Sequence, residues 1–249
     1  MWLAIALLLQ QPKHVSVDAA ASLSDAFNEM ADSLRQRDPR LRIDFNFAGS
    51  QVLALQLSQG AAADVFASAD ERWMQIARDS GLIEGTPHRF ARNRLVVIVP
   101  QGNPAHIARL QDLARSGVKL VLAADAVPAG RYAREALFRL SWRAGFPSDY
   151  GRRVLANVVS YEENVRSVVA KVQLGEADAG FVYASDVTPA VAGAVRRFDL
   201  PVSANVVARY PIALVHNAGN RVAAKAFIAF VLSPAGQAVL VKHGFLAAQ

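Results

Sequence analysis

The chain has 249 residues, of which 53% are hydrophobic and 19% charged, and its net charge is +6. This length and composition are typical of a globular protein of one or two domains and exclude an intrinsically disordered chain. The sequence contains no cysteine, which excludes disulfides, thiolate metal sites, cysteine nucleophiles and a lipid-modified N-terminal cysteine.

The positive charge is spread over several segments and accompanies no nucleic-acid-binding motif. Arginines are grouped at 35–42, 89–94 and 152–153, near the ends of predicted elements. This distribution favours a solvated surface over a nucleic-acid partner. The histidines are scattered without the spacing of a metal site, so a zinc enzyme is not expected.

The chain begins with a short apolar run, "WLAIALLL", from Trp2 to Leu9. The run has the length of a secretory signal peptide, whereas a membrane-spanning helix needs about 20 apolar residues. Because no Lys or Arg precedes it, a buried N-terminal element is the alternative. We predict a signal peptide over residues 1–12, with cleavage near Gln10 to Lys13, and no stable insertion in the membrane.

Strand-like and helix-like patterns alternate along the rest of the chain, which predicts an α/β fold with a largely parallel sheet. The predicted strands are 14–20, 41–47, 64–69, 94–100, 119–124, 179–185 and 209–215. The predicted helices are 22–37, 50–60 with Gly60 as its C-terminal cap, 70–81, 131–145, 162–175 and 221–244, the last broken at Ser-Pro.

Two of these apolar runs, Arg94 to Pro100 and Arg209 to Val215, bracket the middle of the chain. We predict that they pair as crossing strands between two lobes. The chain then leaves the first lobe and later returns to it. This predicts lobe 1 over 13–93 and 211–249, and lobe 2 over 94–210.

Four junctions repeat one design, in which a strand ends in small or polar residues and a helix begins at once. They lie at Ser22, Ser50, Ala129-Gly130 and Asn164-Val165. The first N–H groups of a helix lack intrahelical partners and lie at the positive end of the helix dipole. Each junction can therefore bind an anion without a charged side chain.

Each of these residues also has an ordinary structural interpretation. Ser22 with Asp25 resembles a capping box and Ser50 resembles an N-cap, and for either serine alone capping is favoured. The segment at Ala129 is a common turn composition. Val165 alone is typical of a core position, and Tyr183 alone is typical of a packed aromatic residue.

Together, several motifs resemble the periplasmic molybdate-binding proteins, the solute receptors of molybdate ABC transporters. The motifs are "AAASL" (19–23), "FAGS" (47–50), "GAAADVFASAD" (60–70), "VPAGRYA" (127–133), "NVRSVVAKVQLGEADAGFVYASD" (164–186) and the terminal "YPIALV…LSPAGQ…GF". The resemblance spans nearly the whole chain after the signal-like segment. It implies a type II, two-lobed periplasmic-binding-protein fold with mixed, mostly parallel sheets and hinge crossing strands. It also implies a periplasmic monomer that serves an ABC permease and is not an enzyme.

The resemblance further implies that a tetrahedral oxyanion, molybdate or tungstate, is held between the lobes. Ser22 and Ser50 would contribute hydroxyl and backbone N–H groups, Ala129 and Val165 backbone N–H groups, and Tyr183 its hydroxyl. Molybdenum would be bound only as the oxyanion, without direct metal ligation, and no cofactor is expected. Gly49 departs from the pattern, since some relatives carry a hydroxyl residue there.

A cage of donors disfavours protonated oxyanions such as hydrogen phosphate, because their O–H group would lack an acceptor. Five acidic residues near the proposed contacts in sequence must then point elsewhere: Asp18, Asp64, Asp70, Glu163 and Asp186. A receptor for sulfate or another tetrahedral oxyanion is an alternative function. An α/β enzyme acting on a phosphorylated substrate is another, although the sequence has no Gly-x-Ser-x-Gly, P-loop or dinucleotide glycine motif.

Overall fold

The structure is a computed structural model that describes residues 13–248. The predicted signal peptide, residues 1–12, lies outside the described residues. The strands are β1 (Lys13–Ala20), β2 (Leu41–Ala48), β3 (Val65–Ala67), β4 (Ile83–Pro100), β5 (Leu120–Ala123), β6 (Val158–Glu162), β7 (Ala179–Tyr183), β8 (Val195–Asp199) and β9 (Val207–Val215). The helices are α1 (Ser24–Arg37), α2 (Ser50–Ser58), α3 (Glu71–Asp79), α4 (Pro128–Ser141), α5 (Tyr150–Ala156), α6 (Val165–Gln173), α7 (Pro189–Ala192), α8 (Arg221–Leu232) and α9 (Pro234–Lys242). The predicted α/β class is confirmed.

The strands of the described region form one mixed sheet in the order β2-β1-β3-β9-β4-β7-β5-β6, with β8 paired to β4. Pairing is parallel within β2-β1-β3 and within β7-β5-β6. It is antiparallel wherever β4 or β9 takes part. The strands of the two parallel groups have their carboxyl ends in neighbouring parts of the molecule. Ligands of open α/β sheets usually bind at the carboxyl ends of the strands.

The long strand β4 connects the two parallel groups of strands, and its pairing differs from the prediction. Residues 83–94 of β4 pair with β9, whereas residues 95–100 pair with β7 and β8. The predicted pairing of the runs 94–100 and 209–215 is therefore wrong: residues 209–215 pair with residues 83–92 of β4, and the run 94–100 meets β9 only at Arg94, opposite Val207. The lobe boundaries themselves stay a prediction.

Other differences concern short or polar elements. Helix α4 begins at Pro128, earlier than predicted, and α6 begins at Val165 because Glu162 still belongs to β6. Four elements were not predicted from the sequence, namely β6, β8, α5 and the short helix α7. Strand β6 alternates half-buried and exposed residues, and β8 reads "VRRFD", so neither is apolar enough to stand out from a loop.

Helix α2 ends as predicted at a glycine in the left-handed region. Gly60 has φ +88° and donates its N–H to the carbonyl of Leu57, while Ala61 donates to Gln56. These two bonds form a Schellman motif, which fixes the direction in which the chain leaves α2 toward β3.

Aromatic rings tie β4 and β9 to the surrounding helices. Phe27 on α1 packs on Phe90 and Phe227, with ring centroids 5.9 and 5.5 Å apart. Tyr210 on β9 packs edge-to-face on Phe90 at 6.3 Å and on Phe245 at 5.5 Å. These contacts hold the Tyr210 ring in one orientation.

Among the described residues, no single helix is long and apolar enough to cross a membrane, although α8 and α9 together meet the length and composition test across a 62° bend.

Candidate functional site

A small cavity lies where the carboxyl ends of β1, β2, β3, β5, β6 and β7 meet. The space in it that is open to the centre of a water-sized sphere is about 10 Å³, roughly what a cavity needs to hold one water molecule. All five residues predicted from the sequence to bind ligand lie on its wall. The lining residues are Ala20, Ala21, Ser22, Ala48, Gly49, Ser50, Ala69, Val127, Pro128, Ala129, Asn164, Val165 and Tyr183. The cavity is thus small and closely lined by these residues.

Three helices begin at this cavity, namely α2, α4 and α6. In the described part of the chain no side chain caps α2 or α4, and Asn164 caps α6 by accepting the N–H of Ser167 at 3.1 Å. The first turns of these three helices contain no Asp or Glu. Their positive dipole ends and first backbone N–H groups, including those of Ala129 and Val165, therefore converge on the cavity.

Ser50 does not cap its helix, so the capping alternative is wrong for this residue. Gly49 occupies the N-cap position and Ser50 is the first residue of α2. Ser50 Oγ, in a residue only 1% exposed, accepts the backbone N–H of Ala69 at 2.9 Å. Because this oxygen is used as an acceptor, the O–H group remains able to donate into the cavity.

Ser22 does not form the capping box suggested by its spacing to Asp25. It lies in a 3₁₀ turn, Ala21–Leu23, and no side chain caps that turn or the start of α1 in the described residues. Ser22 Oγ lies 3.0 Å from Tyr210 Oη, and Asp25 pairs with Arg166. The Ser22 hydroxyl is therefore held by a residue distant in sequence.

Tyr183 ends β7 and is 1% exposed. Its hydroxyl is buried and has no hydrogen-bond partner within residues 13–248. Burial, with a smaller contribution from Tyr210, raises the pKa of Tyr183 well above its usual value, so the group stays protonated and can donate. A buried unpaired hydroxyl typically costs about 1–3 kcal/mol, and such exceptions call for an explanation.

The wall of the cavity contains no acidic residue among those described. Asp186 accepts the N–H of Tyr183 at 2.9 Å and lies 3.3 Å from Arg166 Nε, outside hydrogen-bond geometry. Burial raises the pKa of Asp186 to about 6, and Arg166 opposes the rise. Asp70 accepts the N–H of Trp73 at the start of α3. Asp18, Asp64 and Glu163 also lie off the wall.

Gly49 is required by the close approach of the segment that precedes α6. A Cβ on Gly49 would lie 2.4 Å from the carbonyl oxygen of Glu163, although its φ of −64° suits any residue. Gln51 Nε2 donates to the same carbonyl at 2.8 Å. A side chain at position 49, with or without a hydroxyl, does not fit this arrangement.

Three further side-chain contacts connect the segments on either side of the cavity. Trp73 Nε1 donates to the carbonyl of Ala126 at 2.8 Å, Arg131 pairs with buried Asp70 at 3.1 Å, and Arg166 pairs with Asp25. These contacts, like that of Gln51, hold the two walls together. They could not be predicted from the sequence, because each joins residues at least 53 positions apart.

No cluster of three or more His, Asp or Glu side chains within residues 13–248 could hold a metal ion. The chemistry of the wall is therefore that of neutral hydroxyl and amide donors. Such a surface can bind an anion through oriented dipoles without transferring a proton.

The chain matches the family of bacterial extracellular solute-binding proteins over residues 15–246. It is 38% identical to the molybdate-binding protein ModA of Mycobacterium tuberculosis (strain ATCC 25618 / H37Rv) over 236 residues, 95% of this chain and 85% of that protein. Its fold is similar to the periplasmic molybdate-binding protein of Azotobacter vinelandii, with TM-score 0.81, 18% identity, and coverage of 94% of this chain and 100% of that one. It is equally similar to the sulfate-binding protein SubI from Mycobacterium tuberculosis H37Rv, with TM-score 0.81, 16% identity, and coverage of 94% and 87%. The fold alone does not distinguish the two anions.

Proposed function

The chain belongs to the bacterial extracellular solute-binding proteins, and from this premise we propose that it captures molybdate, and tungstate as well, in the periplasm and delivers it to an ABC permease. It acts as a monomeric receptor and not as an enzyme, and the metal enters only as its oxyanion. The proposed contacts are the hydroxyls of Ser22, Ser50 and Tyr183, and the backbone N–H groups of Ser22, Ser50, Ala129 and Val165.

The observation that carries this proposal is the buried hydroxyl of Tyr183, which lines the cavity without a partner among the described residues. An oxyanion provides the acceptor that this group lacks. The surrounding wall supports the same conclusion, because it presents hydroxyls and helix N-termini and no carboxylate. Fixed dipoles in a site shielded from water stabilise a dianion more strongly than they would in solvent.

A sulfate receptor is the second candidate, because the fold resembles SubI as closely as it resembles the Azotobacter protein. Sulfate and molybdate carry the same charge and both lack a proton. A donor-only wall accepts either, so the size of the closed cavity must discriminate between them. The 38% identity to ModA favours molybdate.

A thermal-shift panel of molybdate, tungstate, sulfate, hydrogen phosphate and vanadate tests the proposal on the purified chain. A ligand that binds only the folded state at 100 times its Kd stabilises it by about 2.7 kcal/mol. We expect molybdate and tungstate to raise the Tm at micromolar concentration and sulfate to do so only at much higher concentration. If no anion raises the Tm, the receptor function is refuted; if sulfate equals molybdate, the specificity is refuted. Turnover of a phosphoester by the pure protein would favour the enzyme alternative.

A further inference from the structure

Behind Ser22, away from the cavity, lies a short chain of buried polar groups. Ser22 Oγ is 3.0 Å from Tyr210 Oη, and Tyr210 Oη is 3.5 Å from Asn93 Nδ2. Asn93 Nδ2 also donates to Ser185 Oγ at 2.8 Å. Tyr210 and Asn93 are fully buried on β9 and β4, and neither lines the cavity.

The direction of the hydrogen bonds in this chain follows from its far end. The backbone N–H of Arg94 donates to Asn93 Oδ1 at 3.0 Å, which identifies the amide oxygen and leaves the NH₂ group facing Tyr210. An amide NH₂ can only donate, so the Tyr210 oxygen accepts from it. The single proton of Tyr210 must then be donated to Ser22.

This direction leaves the proton of Ser22 for the cavity. Ser22 Oγ accepts from Tyr210, so the Ser22 O–H has no acceptor among these groups. It is left to donate into the cavity that Ser22 lines. The reverse direction would leave the buried Tyr210 proton facing an NH₂ group, without an acceptor. The Ser50 hydroxyl is oriented in the same way, because its oxygen accepts the N–H of Ala69 and its O–H is left to donate.

Tyr210 is well placed to enforce this direction. Burial raises the pKa of Tyr210 above its usual value, so the hydroxyl keeps its proton. Its ring packs edge-to-face on Phe90, Tyr183 and Phe245, which fixes the position of the oxygen. A Phe at this position would keep the ring contacts and remove only the hydroxyl.

We propose that Tyr210 and Asn93 are positioning residues for anion binding: they orient the Ser22 hydroxyl as a donor into the cavity and so select oxyanions that carry no proton. The inference rests on the proposed function. Without the Tyr210 hydroxyl, Ser22 is free to rotate and to accept a hydrogen bond, and the site then tolerates an anion with an O–H group.

A double-mutant cycle measures whether Tyr210 acts through Ser22. Molybdate binding is compared by calorimetry in the wild type, Ser22→Ala, Tyr210→Phe and the double variant. We expect Tyr210→Phe to weaken binding about tenfold, the usual effect of one hydrogen bond, and to have no further effect once Ser22 is alanine. Losses that simply multiply would overturn the inference. Tyr150→Phe is the matched control, because its buried hydroxyl donates to the remote carbonyl of Leu110; its binding should equal that of the wild type.

A second measurement covers the case in which Ser22→Ala does not bind at all. The Tm response to millimolar hydrogen phosphate is compared between the wild type and Tyr210→Phe. We expect a larger response in the variant, since its Ser22 hydroxyl can accept the phosphate proton; an equal or smaller response, including none in either protein, would contradict the selection role. A wild type that does not bind molybdate refutes the proposed function itself, whereas a binding wild type with a multiplicative cycle refutes only this inference.

Discussion

The unpaired hydroxyl of Tyr183 allows a substitution that separates ligand binding from folding. In Tyr183→Phe the ring and its edge-to-face contact with Tyr210 remain, and only the buried hydroxyl is lost. Most substitutions in a binding cavity remove a group that also stabilises the fold. Here the group removed has no partner within residues 13–248, so the effect on ligand affinity and the effect on the stability of the unliganded protein should differ in sign.

The magnitude follows from the two states of the hydroxyl. A hydrogen bond to a charged acceptor contributes about 1.5–3 kcal/mol, so its loss should weaken molybdate binding roughly 10- to 150-fold. Without ligand, removing an unsatisfied buried hydroxyl relieves a desolvation penalty. The unliganded variant should therefore be as stable as the wild type or more stable.

Calorimetry with molybdate gives the affinity, and urea denaturation without ligand gives the free energy of unfolding. Tyr150→Phe is the control for the loss of a buried tyrosine hydroxyl, because this hydroxyl donates to Leu110. The control should lose about 1 kcal/mol of stability and bind molybdate normally.

Two results would refute the reasoning. An unchanged affinity in Tyr183→Phe would show that the hydroxyl does not contact the anion. A clear loss of stability in the unliganded variant would show that the hydroxyl is paired within the protein, and the main support for the cavity as an oxyanion site would be lost.

Three further predictions concern other residues of the site. Ser50→Ala should weaken molybdate binding by about 1–3 kcal/mol and, unlike Tyr183→Phe, also destabilise the unliganded protein, because the buried N–H of Ala69 loses its acceptor; unchanged calorimetric affinity with an intact fold would refute the ligand role. Gly49→Ala should weaken binding, because its Cβ would meet a carbonyl oxygen at 2.4 Å across the cavity, whereas Gly102→Ala, with open space around it, should bind like the wild type; equal affinities would contradict the close approach. The pKa of Asp186 is raised from 3.8 to about 6, so its stabilising contribution is complete well below pH 3.8 and is lost as the pH rises through 6. Relative to the wild type, Asp186→Asn should therefore gain about 2 kcal/mol of stability between pH 4 and pH 6; urea denaturation across this range that shows a constant difference would exclude the effect.

Much of the fold could be predicted because most elements carry their own pattern. Strands β1, β5 and β7 are apolar runs, and these were predicted to within about two residues. The first part of β4, "IEGTPHRFARN", could not be predicted, because it is polar and contains Gly85 and Pro87. It is a strand since β9 pairs with it, and such long-range pairing leaves no local pattern in the sequence.

The residues that line the cavity could partly be predicted, but their hydrogen bonds could not. The strand-to-helix junctions predicted that Ser22, Ser50, Ala129 and Val165 gather at the carboxyl ends of the strands, and the family resemblance added Tyr183; all five line one cavity. The partners of the two serine hydroxyls lie 19 and 188 positions away, so local spacing suggested capping instead. Tyr210 was missed because a tyrosine in an apolar strand is typical of the core. The one local signal for Tyr210 was that a buried tyrosine hydroxyl usually has a hydrogen-bond partner.

Two of the proposed contacts come from the main chain, at Ala129 in the first turn of α4 and at Val165, the first residue of α6. An alanine scan cannot remove a backbone N–H. Position 129 is already alanine, and Val165→Ala keeps the backbone donor. Only proline or an ester linkage would delete either group. Over evolutionary time these two buried positions can therefore exchange side chains that fit the core without losing the donor, as long as the helices begin at the same residues. Relatives that bind the same anion can differ at positions 129 and 165. Sequence identity at these positions then underestimates how much of the binding site the relatives share.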